Sequence, residues 1–264
     1  MAAKKIGLAL SSGGLFGFAH IGVIEVLEEQ GIRPSLIAGS SSGAIIGLVY
    51  AAGGMALLEK FVSRLEETGL LTKKGIFSSW TPDRYFSKVG LLLEELVKEK
   101  DLKQLGVPFF PVATDVATGA VHIFESGSPI EAVLASATYP VALSTKEIDH
   151  HYYIDGGLTC YLPSEELEKR GARTIIGSVI QVVDELPNSK IKNINSANLV
   201  IRSIEILQER LSQYQLESCD YVIRPKFNPT DWHQVDRLNY LIETGRKAAR
   251  AKLAEMKLIT GRAS

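Results

Sequence analysis

LIAGSSSGAIIGLVYAAG, residues 36–53, begins with four apolar or small residues, crosses three serines held between Gly39 and Gly43, and continues with small and apolar residues all round. The first part reads as a strand buried on both faces and the last as a helix buried on every side, with room between them for only a tight turn. A strand that turns at once into a helix is the building unit of a mostly parallel α/β sheet. Gly39-Ser40-Ser41-Ser42-Gly43 also fits the Gly-x-Ser-x-Gly elbow, in which glycine flanks make room for a sharp turn that thrusts the central hydroxyl outward. Ser41 is therefore a candidate nucleophile. A serine just before a helix is also an ordinary N-cap, so the elbow needs further residues to carry chemistry.

A second unit of the same kind stands upstream. IGLAL (6–10) is an unbroken apolar run, SSGGLFG (11–17) follows it, and 17–30 has helical periodicity that ends before Gly31. Adjacent backbone amides at Gly13 and Gly14 can form an anion-binding nest, which in acyl transfer would be an oxyanion hole. The other use of such a loop is to cradle a nucleotide phosphate. That fingerprint needs glycine where Ser12 stands, and an acidic residue about twenty positions further on, which is missing.

Beyond the elbow, 55–68 and 91–100 read as amphipathic helices, and the aperiodic GIFSSWTPDRYFSKVG (75–90) between them as a lid or substrate-facing segment. FFPVATDVATGAVHIF (109–124) reads as two strands joined by a polar turn at Asp115–Gly119, and 129–140 as a helix halted by Pro140. A strand is expected at 174–180, and long helices at 194–218 and 236–258 flank an edge strand, YVIRP (221–225). Ile201, Ile204, Leu207 and Leu211 recur at helical spacing, as in a core-facing stripe. No repeat or linker divides the chain. The expectation is one domain over 1–264, its motifs within 5–180 and a helical C-terminal part over 190–258, folded as a three-layer α/β/α structure with ligands at the carboxyl ends of the strands.

Composition narrows the function classes. The formal net charge of −1, with scattered basic residues, leaves no electrostatic footprint for nucleic acid. The two cysteines, Cys160 and Cys219, form no metal-ligand pattern, so reducing cytoplasm is the simplest compartment. Nowhere do about 18 apolar residues run uninterrupted, so any membrane contact is expected to be peripheral.

A serine nucleophile needs a base. Among the five histidines, His20 and His122 fall within a helix and a strand, His150 and His151 precede a tyrosine pair, and only His233 could close the Ser-Asp-His chain order of an α/β-hydrolase. HHYYIDGGLTCYLP (150–163) offers another base: Asp155 ends a short strand, and Gly156 and Gly157 would let its carboxylate approach the elbow closely. Partial burial would raise an aspartate from its reference pKa of about 3.9 toward a working range. Asp-Gly-Gly is also a common turn, the carboxylate then bonding to its own loop.

Taken in order, the glycine loop SSGGLFGFAHIGVIEVLEEQGI, the elbow AGSSSGAI, the stretches VATDVATGAVHIF and AVLASATYP, and DGGL resemble the patatin-like phospholipase family, especially its compact bacterial members, over roughly residues 5–180. The resemblance implies a patatin-like fold, Ser41 and Asp155 as a Ser-Asp dyad, the backbone amides of Gly13 and Gly14 as oxyanion donors, and no metal or cofactor. It implies a lipid or other carboxylic ester as substrate. Three departures stand out: Ser12 replaces a usual glycine, Phe16 stands where the family commonly has arginine or lysine, and Cys160 and Tyr161 fall where asparagine is common. Loss of the cation at 16 weakens the expectation of a charged phospholipid head group and favours ester hydrolysis generally. A different class of function is a regulatory or adaptor protein of the same fold with a slowed or inactive site.

Overall fold

The computed structural model describes residues 5–70, 82–140, 144–182, 191–192, 194–227 and 237–260. Strands β1 (Ile6–Leu10), β2 (Leu36–Ser40), β3 (Phe109–Asp115), β7 (Thr174–Ser178) and β9 (Tyr221–Ile223) run parallel in the order β3-β2-β1-β7-β9. Three short antiparallel strands extend the β3 side: β4 (Val121–Ile123) and β6 (His151–Asp155) both pair with β3, and β5 (Lys146–Ile148) pairs with β6. A separate parallel pair joins β8 (Gln181–Val182) to β10 (Lys226–Phe227).

Both faces of the sheet are covered, as the unbroken apolar runs require. On β1, Ile6, Leu8 and Leu10 pack into a large core with α1 (Ala19–Glu29) and α2 (Ser42–Thr68), whereas Ala9 faces a smaller cluster around Leu162, Leu167 and Ile175. α5 (Ser164–Lys169) lies on that second face, close enough that a side chain at Gly7 would meet Leu167 and Ala172. α3 (Pro82–Leu96) and α4 (Pro129–Ser136) complete the large core, and α7 (Leu238–Thr260) lies across α1, where Arg246 holds Glu25 at 2.6 Å.

The elements differ from the sequence reading in a few places, each for a local reason. The helices expected at 42–53 and 55–68 are one element, α2, kinked where Gly53 and Gly54 leave helical geometry. Its most apolar window reaches a mean hydropathy of 1.6, enough in length and composition to span a membrane; its first turns are instead buried against β2 and β3. Of the proposed lid, 75–81 lies outside the described residues, while 82–90 is helical and belongs to α3, which starts nine residues before the expected helix at 91. α4 ends at Ser136, four residues short of Pro140, because Ala137 has left helical geometry. In α6 (Ser196–Gln215), Leu207 is not a core residue: it is 68% exposed.

Candidate active site

Ser41 stands between the end of β2 and the start of α2 with φ 53° and ψ −119°, a left-handed conformation that a non-glycine residue adopts only when its surroundings hold it there. The surroundings are tight. A Cβ on Gly39 would strike the Gly43 carbonyl, and one on Gly43 would strike the carbonyls of Leu10 and Ser11 at the end of β1. The Ser41 amide donates to the buried Ser136 hydroxyl at 2.9 Å, a tie from α4 that sequence reasoning missed although Ser136 lies within AVLASATYP. Ser40 and Ser42 turn away: the first has its hydroxyl beside Gly156, the second packs on Gly17.

The Ser41 hydroxyl donates to Asp155 Oδ2 at 2.6 Å. Asp155 ends β6, whose register against β3 sets Asp155 opposite Ala113, so the carboxylate reaches Ser41 from two strands away, across β3. Its other oxygen, Oδ1, accepts the Gly157 amide at 2.7 Å, its own amide donates to Thr138 O at 2.9 Å, and Thr114 Oγ1 donates to its carbonyl at 2.8 Å. Gly156 must be glycine here because a Cβ would run into the Val112 carbonyl. Asp155 is wholly buried, and burial pushes its carboxyl up to about 6, against the opposing pull of the Ser41 and Gly157 hydrogen bonds. Both readings of Asp-Gly-Gly hold at once: the carboxylate caps its own turn with one oxygen and meets the serine with the other.

Gly13 and Gly14 line a cavity of about 520 Å³ together with Ser41 and Asp155. The two amides lie at the start of a 3-10 turn, Gly14–Phe18, where no preceding turn supplies acceptors. Its lining is largely apolar and includes Leu15, Phe18, Ile45, Phe61, Leu65 and Val89. α6 contributes polar Arg202, Glu205, Gln208 and Ser212 to it, together with Ile201.

Among the described residues no histidine is hydrogen-bonded to this pair. His20 is buried behind the glycine loop, its Nε2 donating to Ser11 O at 3.0 Å and its Nδ1 accepting from Ser178 Oγ at 2.8 Å; burial, partly offset by the Ser11 bond, lowers its pKa to about 4 and keeps it neutral. His151 contacts Asp115 at 3.3 Å, His122 packs on Phe124 and Tyr153, and His150 is exposed. His233 lies outside the described residues. Among the described residues no three His, Cys, Asp or Glu side chains gather as a metal site. Both cysteines are free thiols, and burial pushes Cys160 up to about 12, so it is an inert packing group.

The sequence pattern of the patatin-like phospholipase family matches residues 8–166, more than half of the chain. The chain belongs to that family. It is 35% identical over 167 residues to an uncharacterised NTE family protein of Mycobacterium tuberculosis, covering 60% of this chain and 44% of that one. Over 196 residues it is 30% identical to human patatin-like phospholipase domain-containing protein 6, covering 69% of this chain and 14% of the relative. The chain thus spans less than half the length of these relatives. Among solved structures, VipD from Legionella pneumophila shares the fold, with a TM-score of 0.54 at 15% identity over 96% of this chain and 67% of that one.

Within this patatin-like frame Ser12 and Tyr161 are joined through backbone, and Tyr161 and Phe16 both meet Ile180. The Ser12 amide donates to the Tyr161 carbonyl at 2.9 Å, and the Tyr161 hydroxyl donates to Ile180 O at 2.9 Å. Ile180 in turn packs where a Cβ on Gly13 would stand. Phe16 is 1% exposed and stacks on Phe227 of β10 with ring centroids 4.5 Å apart, beside Ile180 and Leu241. An aromatic at 16 thus has an apolar site of its own, and a cation there would have none.

Proposed function

We propose that this chain is a lipid acyl hydrolase that cleaves carboxylic esters through Ser41 and Asp155. The observation that carries the reading is the 2.6 Å hydrogen bond from the Ser41 hydroxyl to a buried aspartate whose pKa is raised to about 6, at the wall of a largely apolar cavity. In the first half-reaction Ser41 Oγ attacks the ester carbonyl while its proton passes to Asp155 Oδ2. The carbonyl oxygen, now negative, is held by the amides of Gly13 and Gly14. Collapse breaks the bond to the alcohol, which leaves with the proton from Asp155, and the acyl group remains on Ser41. Water then gives a proton to Asp155 and attacks the acyl carbonyl, and Ser41 departs reprotonated. No histidine is needed, because burial has already brought the carboxylate close to a working pKa.

The acyl chain belongs against Leu15, Phe18, Phe61 and Leu65. Contact with a lipid surface belongs to α6, whose cavity-facing side is polar while Leu199, Ile206, Leu207 and Tyr214 stand 46–73% exposed on the other. The two free cysteines suit a reducing, cytoplasmic setting with peripheral membrane contact. The test is hydrolysis of short- and long-chain esters and phospholipids by wild type, Ser41→Ala and Asp155→Asn. Turnover by wild type with a loss of roughly a thousandfold or more in both variants is expected; equal rates in all three would refute it.

A further inference from the structure

α6 carries a side chain that neither the dyad nor the core uses. Gln208 is 8% exposed, lines the cavity, and its Nε2 has no hydrogen-bond partner among the described residues. A buried amide nitrogen left without an acceptor is costly, and native structures seldom keep one without a use for it. Its position is specific. A side chain begun on Gly157 would meet Gln208 Nε2 at 2.9 Å and Ser12 Oγ at 2.8 Å, so the amide lies against both the aspartate loop and the glycine loop.

The cavity's lining bears on which part of a substrate Gln208 faces. Its apolar side chains include Leu15, Phe18, Ile45, Phe61 and Leu65, none of them on α6, and suit the acyl chain. With the acyl chain against these and its carbonyl at Ser41, the alcohol half of the ester is left to the α6 side chains Gln208, Arg202, Glu205 and Ser212. Arg202 and Glu205 pair at 3.2 Å, and Glu209 and Arg224 also line the cavity, so its charges balance and leave it suited to hydroxyl and ether oxygens more than to a bare anion.

We propose that Gln208 is a specificity-determining residue that donates from Nε2 to an oxygen of the alcohol portion, selecting esters of polyhydroxylated alcohols such as glycerol over esters of plain alkanols. The assignment rests on the ester-hydrolase reading above. A site built to bond an oxygen discriminates strongly against an analogue without it, because the buried amide is then left unpaired.

The test compares glyceryl monobutyrate with n-propyl butyrate, which share the acyl group and differ in the two hydroxyls of the alcohol, on wild type, Gln208→Met and Gln208→Glu, with Tm measured for each. The expected result is a wild-type preference for the glyceryl ester, and a loss of about tenfold in kcat/KM on that ester alone in Gln208→Met. Gln208→Glu, which keeps the shape but loses the donor, should not restore it. If Gln208→Met matches wild type on both esters, the assignment fails while the hydrolase reading stands. If both esters lose equally at unchanged Tm, Gln208 acts on the carbonyl or on the dyad, and the assignment to the alcohol half is wrong. If wild type hydrolyses neither ester, the hydrolase reading falls and takes this assignment with it.

Discussion

Asp155 carries a testable pH dependence. Its carboxyl is raised from an ordinary 3.8 to about 6 by burial, and in the proposed reaction only the ionised form takes the Ser41 proton. A profile of kcat/KM against pH should therefore rise through an apparent pKa of about 6 and level off above it. Stability runs the other way. A folded pKa above the unfolded one favours the fold fully below about 3.8, and that contribution disappears as pH rises through about 6. Relative to wild type, Asp155→Asn should accordingly be about 1–3 kcal/mol more stable against urea at pH 8 than it is at pH 4, while losing activity. Phe16 makes a second case. Restoring the family's usual cation with Phe16→Arg would bury an unpaired guanidinium beside Phe227 and Ile180, and should cost about 3 kcal/mol in a denaturant titration. Ser41 and Asp155 were legible in the sequence because glycine flanks and a strand end announce them. Ser136, Thr138 and Gln208 were not, since a serine or glutamine in a helix has no local signature of the distant backbone it meets.

The strand-to-helix turn at Ser41 depends on how closely α2 approaches β1. Gly43→Ala would force a methyl against the Leu10 and Ser11 carbonyls and should destabilise the fold by about 2 kcal/mol or more, seen as a lower urea midpoint. α6 has the opposite character, with a polar side toward the cavity and apolar residues outward. The double change Leu207→Asp with Ile206→Ser should lower sedimentation with phosphatidylcholine vesicles about tenfold, yet leave hydrolysis of a soluble short-chain ester unchanged. Retained vesicle binding would remove α6 as the lipid-facing surface. Periodicity located α6 to within a few residues but misassigned Leu207. Ile201, Ile204, Leu207 and Leu211 share helical spacing, and spacing alone does not say which side of a helix the rest of the chain covers.

Across the whole molecule, β1 and β2 were legible because each is an apolar run followed by a glycine- and serine-rich turn and a helix, and β3, β7 and β9 were legible from their apolar stretches. Of the short antiparallel additions, β4 and β6 were legible but β5 was not: Lys146–Ile148 has no pattern of its own and takes its pairing from β6. Yet it is this side of the sheet that delivers Asp155. The Ser41–Asp155 hydrogen bond joins residues 114 positions apart, and the β3–β6 register helps bring them to 2.6 Å. The glycine loop reaches the same cavity from the end of β1, so three strand ends converge on one point, as doubly covered α/β sheets allow. The most direct measurement is intact-protein mass spectrometry with peptide mapping after treatment with a fluorophosphonate at pH 8. A single covalent adduct on Ser41, absent from Ser41→Ala and formed much more slowly by Asp155→Asn, is the predicted result. No adduct, or one on another residue, would contradict the assignment of Ser41 as nucleophile.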